Sequence, residues 1–492
     1  MKTKHKIFFL VLLLALGALV LAACAREDGG GAAEPPPVVE TPPETGAVAT
    51  PEPVVEEEEA EEELPRDLGG REVVVGNWWG GWHWETAEPA TLAAEARFDD
   101  RLYVFERYNF TMWEESLGDW GTIQEIATMS ILAGDPAADI FLLDQAWFVN
   151  LMNQGLVAPI TTVDFSDRSD YTWTVSTVSI ATDVNGVVHG WARDIQTGHG
   201  VWFNMRLLEE AGIDPYLPFD LQLRGEWTWD AWLDMLHATT RDIGNTGVID
   251  VWGLATFSSN MLGLALSSNN ARHIYRDAHG RFHNTTNTPE FLEALAFTNN
   301  MRHVFQVMMP QPPDTPWNWF DQAFLNGDVA FRTGGSYMAG GFAANTDDPI
   351  GFVTFPVGPS NGGFGPRFTG NTNFTVIPAT FTPEEVEEIM FAYLMFHRPL
   401  PEFRDPDAWK AAAYLVHSSP RNVDETMHLF GRDPYRWEPM WRTIMPGPGF
   451  HEGELFSWRM WHEGSDPAVI VEEAQPIVNE AVAEANRIVG IN

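Results

Sequence analysis

The chain has 492 residues, a formal net charge of −40 at pH 7 and a single cysteine. This length is enough for two or three domains with substantial cores. The excess of acidic side chains disfavours direct binding to nucleic acid or to anionic lipid. One thiol also excludes an intramolecular disulfide, so the fold depends on its core alone.

The N-terminus has the pattern of an export signal. Three lysines precede the apolar stretch Ile7–Val20, which has the length of a signal peptide and is short for a membrane span. The sequence Leu-Ala-Ala then leads directly into Cys24. This arrangement resembles a bacterial lipoprotein signal, which implies removal of residues 1–23 and two acyl chains on Cys24, enough to hold a protein stably at a membrane. The alternative is an uncleaved signal anchor.

Residues 24–68 have the composition of a tether. Between residues 25 and 68 there are 14 acidic and 2 basic side chains, with clustered Pro, Gly and Ala. Such a segment buries too little apolar surface to offset its ordering entropy, and its like charges extend it. We therefore predict a disordered linker. A calcium site in the glutamate runs at 56–59 and 61–63 is the alternative, although no loop pattern fixes its ligands.

The next elements predict an α/β domain. Strands at 71–75, 110–114 and 139–143 alternate with helices at 92–108 and 121–133. This alternation is typical of a parallel sheet with helices on both faces. Ligands of such sheets lie beyond the carboxyl ends of the strands.

Aromatic residues follow two of these strands. The run GNWWGGWHWE at 76–85 comes after the first strand and contains four tryptophans. The sequence Asp144-Gln145-Ala146-Trp147 comes after the strand at 139–143. We expect both segments to lie at the ligand-binding edge.

Four further elements have clear local signals. An Asn-Gly turn predicts a hairpin at 184–187. Thr228 is a predicted N-cap, and Thr382-Pro383 begins a helix that runs to about Phe396. A final helix is predicted at 467–489.

Short sequence blocks resemble a known family. They are Gly134-Asp135-Pro136 with Asp139-Ile140-Phe141, Gly155–Ile160, Asn185-Gly186-Val187 with Gly190-Trp191, Trp202-Phe203-Asn204 with Leu208–Ile213, Thr228-Trp229-Asp230, and Phe324–Phe331. In this order they resemble the family 1 extracellular solute-binding proteins, the capture subunits of ABC importers, mostly for sugars. Trp191-Ala192 departs from the family pattern, which has Leu-Pro there.

The resemblance implies a two-lobe α/β clamshell with the ligand in the cleft and several crossovers between the lobes. One lobe would combine residues 69–183 with 332–398, and the other 184–331 with 399–492. Such a protein works by hinge closure around its ligand. It would act as a monomer, and ABC permease subunits would then receive the ligand.

Sugar-binding chemistry and the family's contact positions together select the candidate site residues. Aromatic rings bury the C–H face of a sugar, while Asp, Asn, Gln and Arg pair with its hydroxyls. The candidates are Trp78, Trp79, Trp82, Asp144, Gln145, Trp147, Arg193, Asp194, Gln196, Tyr337, Asn371, Asn373 and Trp458. We assign Trp84 to packing, and leave Trp317 and Trp319 between the cleft edge and the lobe core.

Catalytic patterns are missing from the sequence. There is no G-x-S-x-G, H-E-x-x-H or Walker loop. His-Glu-Gly occurs at 451–453 and 462–464, where we expect turns rather than metal ligands.

We therefore predict capture of a carbohydrate, with an oligosaccharide favoured by the many aromatics, for delivery to a permease without chemistry, cofactor or metal. The protein would be anchored at the outer face of the cytoplasmic membrane. The alternatives are a polyamine- or peptide-binding protein, or a surface lipoprotein that adheres to or degrades glycan.

Overall fold

The computed structural model describes residues 66–89, 92–163, 178, 181–183, 187–192, 197–277, 279–363, 365, 370–371, 373–398, 400, 408–429, 453–488 and 490. The predicted signal, Cys24 and most of the tether lie outside these residues, as do Arg193, Asp194, Gln196 and the Asn-Gly turn. None of the helices in the described part is long and apolar enough to span a membrane.

Lobe 1 is built on a four-stranded sheet. Its strands are β1 (Arg71–Asn77), β2 (Phe110–Ser116), β3 (Ile140–Asp144) and β11 (Asn373–Val376), in the order β11-β3-β1-β2. β1 is parallel to both β2 and β3, and β11 is antiparallel to β3. The helices between the parallel strands are α1 (Leu92–Tyr108) and α2 (Ile123–Leu132), and α3 (Gln145–Asn153) follows β3. The predicted strands and helices are confirmed to within two residues at each end.

Lobe 2 contains the second large sheet. β4 (Thr197–Asn204) is its centre and pairs with β8 (Val329–Gly335) on one side and β9 (Ile350–Thr354) on the other. β8 is also parallel to β5 (Trp252–Ala255), and β10 (Gly370–Asn371) pairs with the start of β4. A separate hairpin joins β6 (Ile274–Arg276) to β7 (Phe282–Asn284).

Helices surround this second sheet. They are α4 (Met205–Glu210), α5 (Leu217–Arg224), α6 (Trp229–Thr239), α7 (Ser258–Ser268), α8 (Pro289–His303), α9 (Trp319–Asn326), α10 (Ala339–Asn345), α12 (Ala408–Val416), α13 (Trp458–Glu463) and α14 (Pro467–Ile488). α11 (Pro383–Phe396) instead packs on the lobe 1 core, where Phe396 is buried. The predicted N-cap and the predicted helix start are both confirmed: Thr228 accepts the Ala231 N–H, and Thr382 forms a reciprocal capping box with Glu385 at the start of α11.

Strand pairing corrects one predicted lobe boundary. The segment 332–398 was assigned to lobe 1, but β8 and β9 both pair with β4 of lobe 2. The boundary at residue 332 is therefore wrong, and the return to the lobe 1 sheet comes at β11. The block at 324–331 could not reveal this, because strand partners lie far away in the chain.

Two crossovers connect the sheets side by side. Asn371 pairs with Thr197 in lobe 2, whereas Thr375 bridges Trp191 in lobe 1. Only residue 372 separates β10 from β11. β10 and β11 are called the two crossover strands, because they follow each other in the chain but belong to different sheets, which places the adjoining edges of the two sheets near each other.

Side chains cover the outer edge of β9. Ser418 accepts the Ile350 N–H at 2.7 Å, and Asn422 accepts the Phe352 N–H at 2.8 Å. Asn422 lies in a π-helical turn at Asn422–Thr426. Gln222 accepts the Thr354 N–H at 2.7 Å. Since an uncovered strand edge is a template for pairing with another chain, these contacts close it.

His417 takes part in this covering layer. Its ring is buried, stacks on Trp202 at a centroid distance of 5.7 Å, and its Nδ1 lies 3.2 Å from Asn422 Nδ2. Burial lowers the pKa of His417 from 6.5 to about 4. The folded state therefore requires the neutral imidazole.

This requirement predicts acid-sensitive stability. His417 binds a proton near pH 6.5 in the unfolded chain but only near pH 4 in the folded chain. The contribution of the neutral ring to the free energy of unfolding is therefore fully present above pH 6.5 and is lost as the pH falls towards 4. The loss should approach roughly 3 kcal/mol. Urea unfolding between pH 7 and pH 4 should show a flatter profile for His417→Gln than for the exposed-site control His237→Gln. Equal profiles would contradict this account.

Candidate functional site

The parallel strands of lobe 1 end at one shared edge. Asn77 at the end of β1 pairs with Ser116 at the end of β2, and β3 ends beside them at Asp144. β11 begins at this edge, since Asn373 pairs with Asp144. The same edge therefore adjoins the crossover into lobe 2, and its loops form the first wall of the site.

Four tryptophans gather on this wall and are called the indole cluster: Trp78, Trp79, Trp120 and Trp147. The ring of Trp78 lies edge-on to the other three, with centroid distances of 4.6, 5.4 and 5.2 Å to Trp79, Trp120 and Trp147. Trp120 and Trp147 are 4.3 Å apart. Each of the three strand ends supplies at least one of these rings.

The indole cluster has an inner and an outer layer. Trp78 and Trp147 are partly buried and pack on the core beneath the edge. Trp79 and Trp120 are each 53% exposed. Because edge-to-face contacts favour a fixed arrangement of rings, the inner pair holds the outer pair as an apolar platform open to solvent.

A buried asparagine shapes the loop that carries Trp78 and Trp79. The side-chain oxygen of Asn77 accepts the N–H groups of Trp79 and Gly80 at 3.0 and 3.1 Å. A Cβ on Gly81 would lie 2.9 Å from the Glu114 carbonyl oxygen, so this position requires glycine. The sharp turn after β1 follows from these two residues.

Trp82 and Trp84 lie outside the indole cluster. Trp82 bridges Glu114, packs against Phe396 at 5.4 Å and is covered by the Arg101 guanidinium at 4.5 Å. The loop turns its ring towards the helical layer, which favours packing over the ligand contact predicted from the sequence. Trp84 packs against the same core, which confirms its assignment to packing.

Polar groups lie at the base of the first wall. Asp144 and Gln145 are buried, each 3% exposed, at the junction of β3 and α3. The Gln145 Nε2 amide has no hydrogen-bond partner among the described residues. Asn373 is partly buried opposite Asp144. The structure thus brings three predicted residues together beside the indole cluster.

The second wall is the facing edge of lobe 2. There β5 and β8 end and β4 begins, with His199 paired to Gly335. His199 is buried and its Nδ1 lies 2.8 Å from the side-chain nitrogen of Asn260 on α7. The Asn260 Oδ1 has no hydrogen-bond partner among the described residues. Neither residue was selected from the sequence, where 61 positions separate them.

Tyr337 projects from this wall. Its ring is 61% exposed and lies 6.2 Å from the His199 ring. The Tyr337 ring folds back over Gly335, where an added Cβ would overlap it and would lie 3.1 Å from His199 Nε2. The glycine is needed here because of this close approach.

Further aromatics occur in lobe 2. Trp317 is 76% exposed. Its ring centroid lies 6.5 Å from that of Phe257, which comes just after the end of β5. This places it at the rim of the second wall, whereas Trp319 is buried in the lobe. Trp458 is half-exposed on α13 and contacts His462 at 3.8 Å. The side chain of Asn371 lies outside the described part of the structure.

A buried cation lies under the second wall. Arg332 is 3% exposed, forms an ion pair with Asp321 and donates to the Thr333 carbonyl at 2.8 Å. Its burial lowers the pKa, and Asp321 opposes this effect. The pair holds α9 against β8 and leaves the wall above it uncharged.

The described residues contain no group of three or more His, Cys, Asp or Glu that could hold a metal ion. Gly464 ends α13 with a φ of 68°, which confirms the turn predicted at His-Glu-Gly 462–464. The other such tripeptide lies mostly outside the described residues. Two walls rich in aromatic and hydrogen-bonding groups can hold a ligand that is apolar on one face and hydroxylated at its rim.

Comparison with known proteins agrees with this geometry. The family model for bacterial extracellular solute-binding proteins matches residues 114–390. A comparison with curated proteins finds no match. Solved structures are similar in fold, which confirms the predicted two-lobe α/β clamshell.

Three of these structures illustrate the likeness. Lmo0181 of Listeria monocytogenes, in complex with cycloalternan, has a TM-score of 0.56 and 15% identity, covering 86% of this chain and 100% of that one. Maltose-bound MalE3 of T. maritima has a TM-score of 0.54 and 15% identity, covering 83% of this chain and 98% of that one. UgpB of Mycobacterium tuberculosis, in complex with glycerophosphocholine, has a TM-score of 0.57 and 14% identity, covering 83% of this chain and 98% of that one.

The two layers of tryptophan predict different mutant effects. Trp79→Ala and Trp120→Ala should each weaken ligand binding by about 1–3 kcal/mol, because each removes exposed platform surface. Trp82→Ala should leave affinity nearly unchanged and lower the free energy of unfolding by about 3 kcal/mol, since that ring packs on the core. Calorimetric titration and urea unfolding of the three variants measure both quantities. Loss of affinity in Trp82→Ala alone would contradict the assignment.

The close approach at Gly335 gives a second prediction. Gly335→Ala should displace the Tyr337 ring and weaken binding by about 1–2 kcal/mol, because overpacking moves the side chain. Gly341→Ala is the matched control, since a Cβ there meets nothing within 4 Å. Titration of both variants tests this; equal affinities would show that Tyr337 does not contact the ligand.

Proposed function

Because this chain belongs to the family of bacterial extracellular solute-binding proteins, we propose that it captures a carbohydrate outside the cell and delivers it to an ABC importer. The observation that supports this proposal most directly is the indole cluster at the crossover edge. Its two half-exposed rings offer apolar faces to sugar C–H groups, beside buried amides that suit hydroxyls.

The structural neighbours agree with a sugar ligand. Those described above include complexes with cycloalternan and with maltose. We propose an oligosaccharide, because aromatic platforms occur on both walls and at the rim near Trp317. Each additional sugar ring needs its own contact surface. Arg193, Asp194, Gln196 and Asn371 remain proposed contacts on the strength of the family resemblance.

A quaternary ammonium solute is the second candidate. The neighbour UgpB was solved with glycerophosphocholine, and tryptophan faces attract such cations. The arrangement of the rings argues against it. In a cation-binding cage, each ring centroid lies up to about 6 Å from the cation. The rings of such a cage are therefore farther from one another than the indole rings seen here, which are in direct contact. The indole cluster is thus a platform rather than a cage.

The mode of action follows from the two walls. The ligand would bind one wall and draw the other towards it by bending of the two crossover strands, without chemistry on the ligand. The family places the protein outside the cytoplasm. We further propose that lipid on Cys24 anchors it there and that residues 24–68 act as the tether.

A thermal-shift screen tests the proposed ligand class. Maltose, longer and cyclic glucans, monosaccharides, spermidine, a peptide mixture and glycerophosphocholine would each be added to the mature protein. A true ligand at 100 times its Kd stabilises the fold by about 2.7 kcal/mol. We expect a saccharide to raise Tm, and Trp79→Ala to reduce the shift.

Two outcomes would reject the proposal. A Tm shift with spermidine, peptide or glycerophosphocholine but with no saccharide would reject the carbohydrate. Release of shorter sugars from the bound glycan during incubation would reject the absence of chemistry.

A further inference from the structure

A pocket lies at the end of the lobe 2 sheet opposite to the proposed sugar site. β4 runs from Thr197 at the crossover to Asn204, which pairs with Ile350. At about 3.3 Å per residue, these ends are roughly 20 Å apart. The pocket has a volume of about 270 Å³, and Ile350 and Trp202 are part of its wall. It is therefore separate from the walls described above.

Its lining is mainly apolar. Trp202, Phe342 and Ile350 are buried side chains of the wall, and Ala343 on α10 borders it. Leu415, 77% exposed, lies at the rim. A dry apolar cavity of about 150 Å³ is enough to bind benzene. The pocket thus has room for one substituted aromatic ring.

Most polar groups around the pocket are already engaged. Ser418 and Asn422 bond to the backbone of β9. Asp348 accepts from Arg206 at 2.7 and 2.9 Å and from Asn204 at 2.6 Å. These bonds also lower the pKa of Asp348, so it stays a paired carboxylate.

His417 supplies the exception. Asn422 Oδ1 accepts the Phe352 N–H and its Nδ2 donates to the Ile350 carbonyl, which fixes the orientation of the amide. The Nδ2 group must then donate to His417 Nδ1, so the neutral ring carries its proton on Nε2. Among the described residues, none accepts a hydrogen bond from this Nε2–H. His417 is only 9% exposed and lines the pocket.

We propose that this pocket binds a small uncharged molecule consisting of an aromatic ring and one hydrogen-bond acceptor, such as an amide or carbonyl. The ring lies in the pocket against Phe342, Ala343 and Leu415, and the acceptor receives the His417 Nε2–H. Such a ligand supplies an acceptor for the His417 Nε2–H, which otherwise has no acceptor among the described residues.

Charge sets the selectivity among ligands of the same shape. Asp347 borders the pocket, where it repels an anion and attracts a cation, whereas Asp348 is already paired with Arg206. A ring bearing an ammonium group has donors only, so it leaves the His417 N–H unpaired. Benzamide, benzoate and benzylammonium therefore form a matched series of probes in which the neutral member binds best.

Ligand-observed NMR titration of the full-length mature protein tests this order. Benzamide should saturate the protein, with at least 10-fold weaker binding of benzoate and benzylammonium. Ala343→Trp should abolish benzamide binding by filling the pocket. Ala344→Trp is the matched control, because Ala344 is exposed on the same helix and does not line the pocket. Both substitutions are at the surface, so the variants should fold.

A second variant tests the hydrogen bond. His417→Phe keeps an aromatic ring but removes the donor, and should weaken benzamide binding about 10-fold while toluene binding is retained. Equal binding of benzamide to Ala343→Trp and Ala344→Trp, tightest binding of benzylammonium, or absence of benzamide binding would each overturn the proposal. Trp79→Ala should leave benzamide binding unchanged, so failure of the sugar screen and failure of this pocket can be told apart.

Discussion

The pairing of the two crossover strands is the constraint on which the site depends. β10 pairs with β4 in one sheet, and β11, one residue later, pairs with β3 in the other. Backbone hydrogen bonds on both sides leave little freedom in where each sheet ends. The strand ends that carry Trp78, Asp144 and His199 therefore adjoin, although they come from separate sheets. The site exists because the chain crosses at this point.

In the proposed site, stability and binding share one set of side chains, those of the indole cluster. Trp78 and Trp147 are part of the lobe 1 core and also support Trp79 and Trp120. The outer rings leave apolar surface in water, which folding alone disfavours. A buried polar residue, Asn77, holds the loop that presents them. Recognition surface is thus built on packing that the fold needs in any case.

The local elements of lobe 1 could be predicted because their signals are local. Apolar runs such as Asp139–Leu143 and the caps at Thr228 and Thr382 need no distant partner to be recognised. Trp78, Trp79, Trp147 and Asp144 were reached in the same way, since each follows a strand. Trp120 was missed because three loop residues separate it from the end of β2. The direction in which the Trp82 ring points depends on the turn at Asn77. The contact between His199 and Asn260 depends on how distant parts of the chain pack together. Neither could therefore be predicted from the sequence.

The cover on β9 has a consequence for the order of folding. Its backbone groups at Ile350 and Phe352 are bonded by Ser418 and Asn422, about seventy residues later in the chain. A chain that emerges N-terminus first presents β4, β8 and β9 before this cover exists. During that interval the strand is an open template for a second copy. Completion of lobe 2 is therefore the step that closes this edge, and the distance in sequence between strand and cover sets how much of the chain must follow before it is closed.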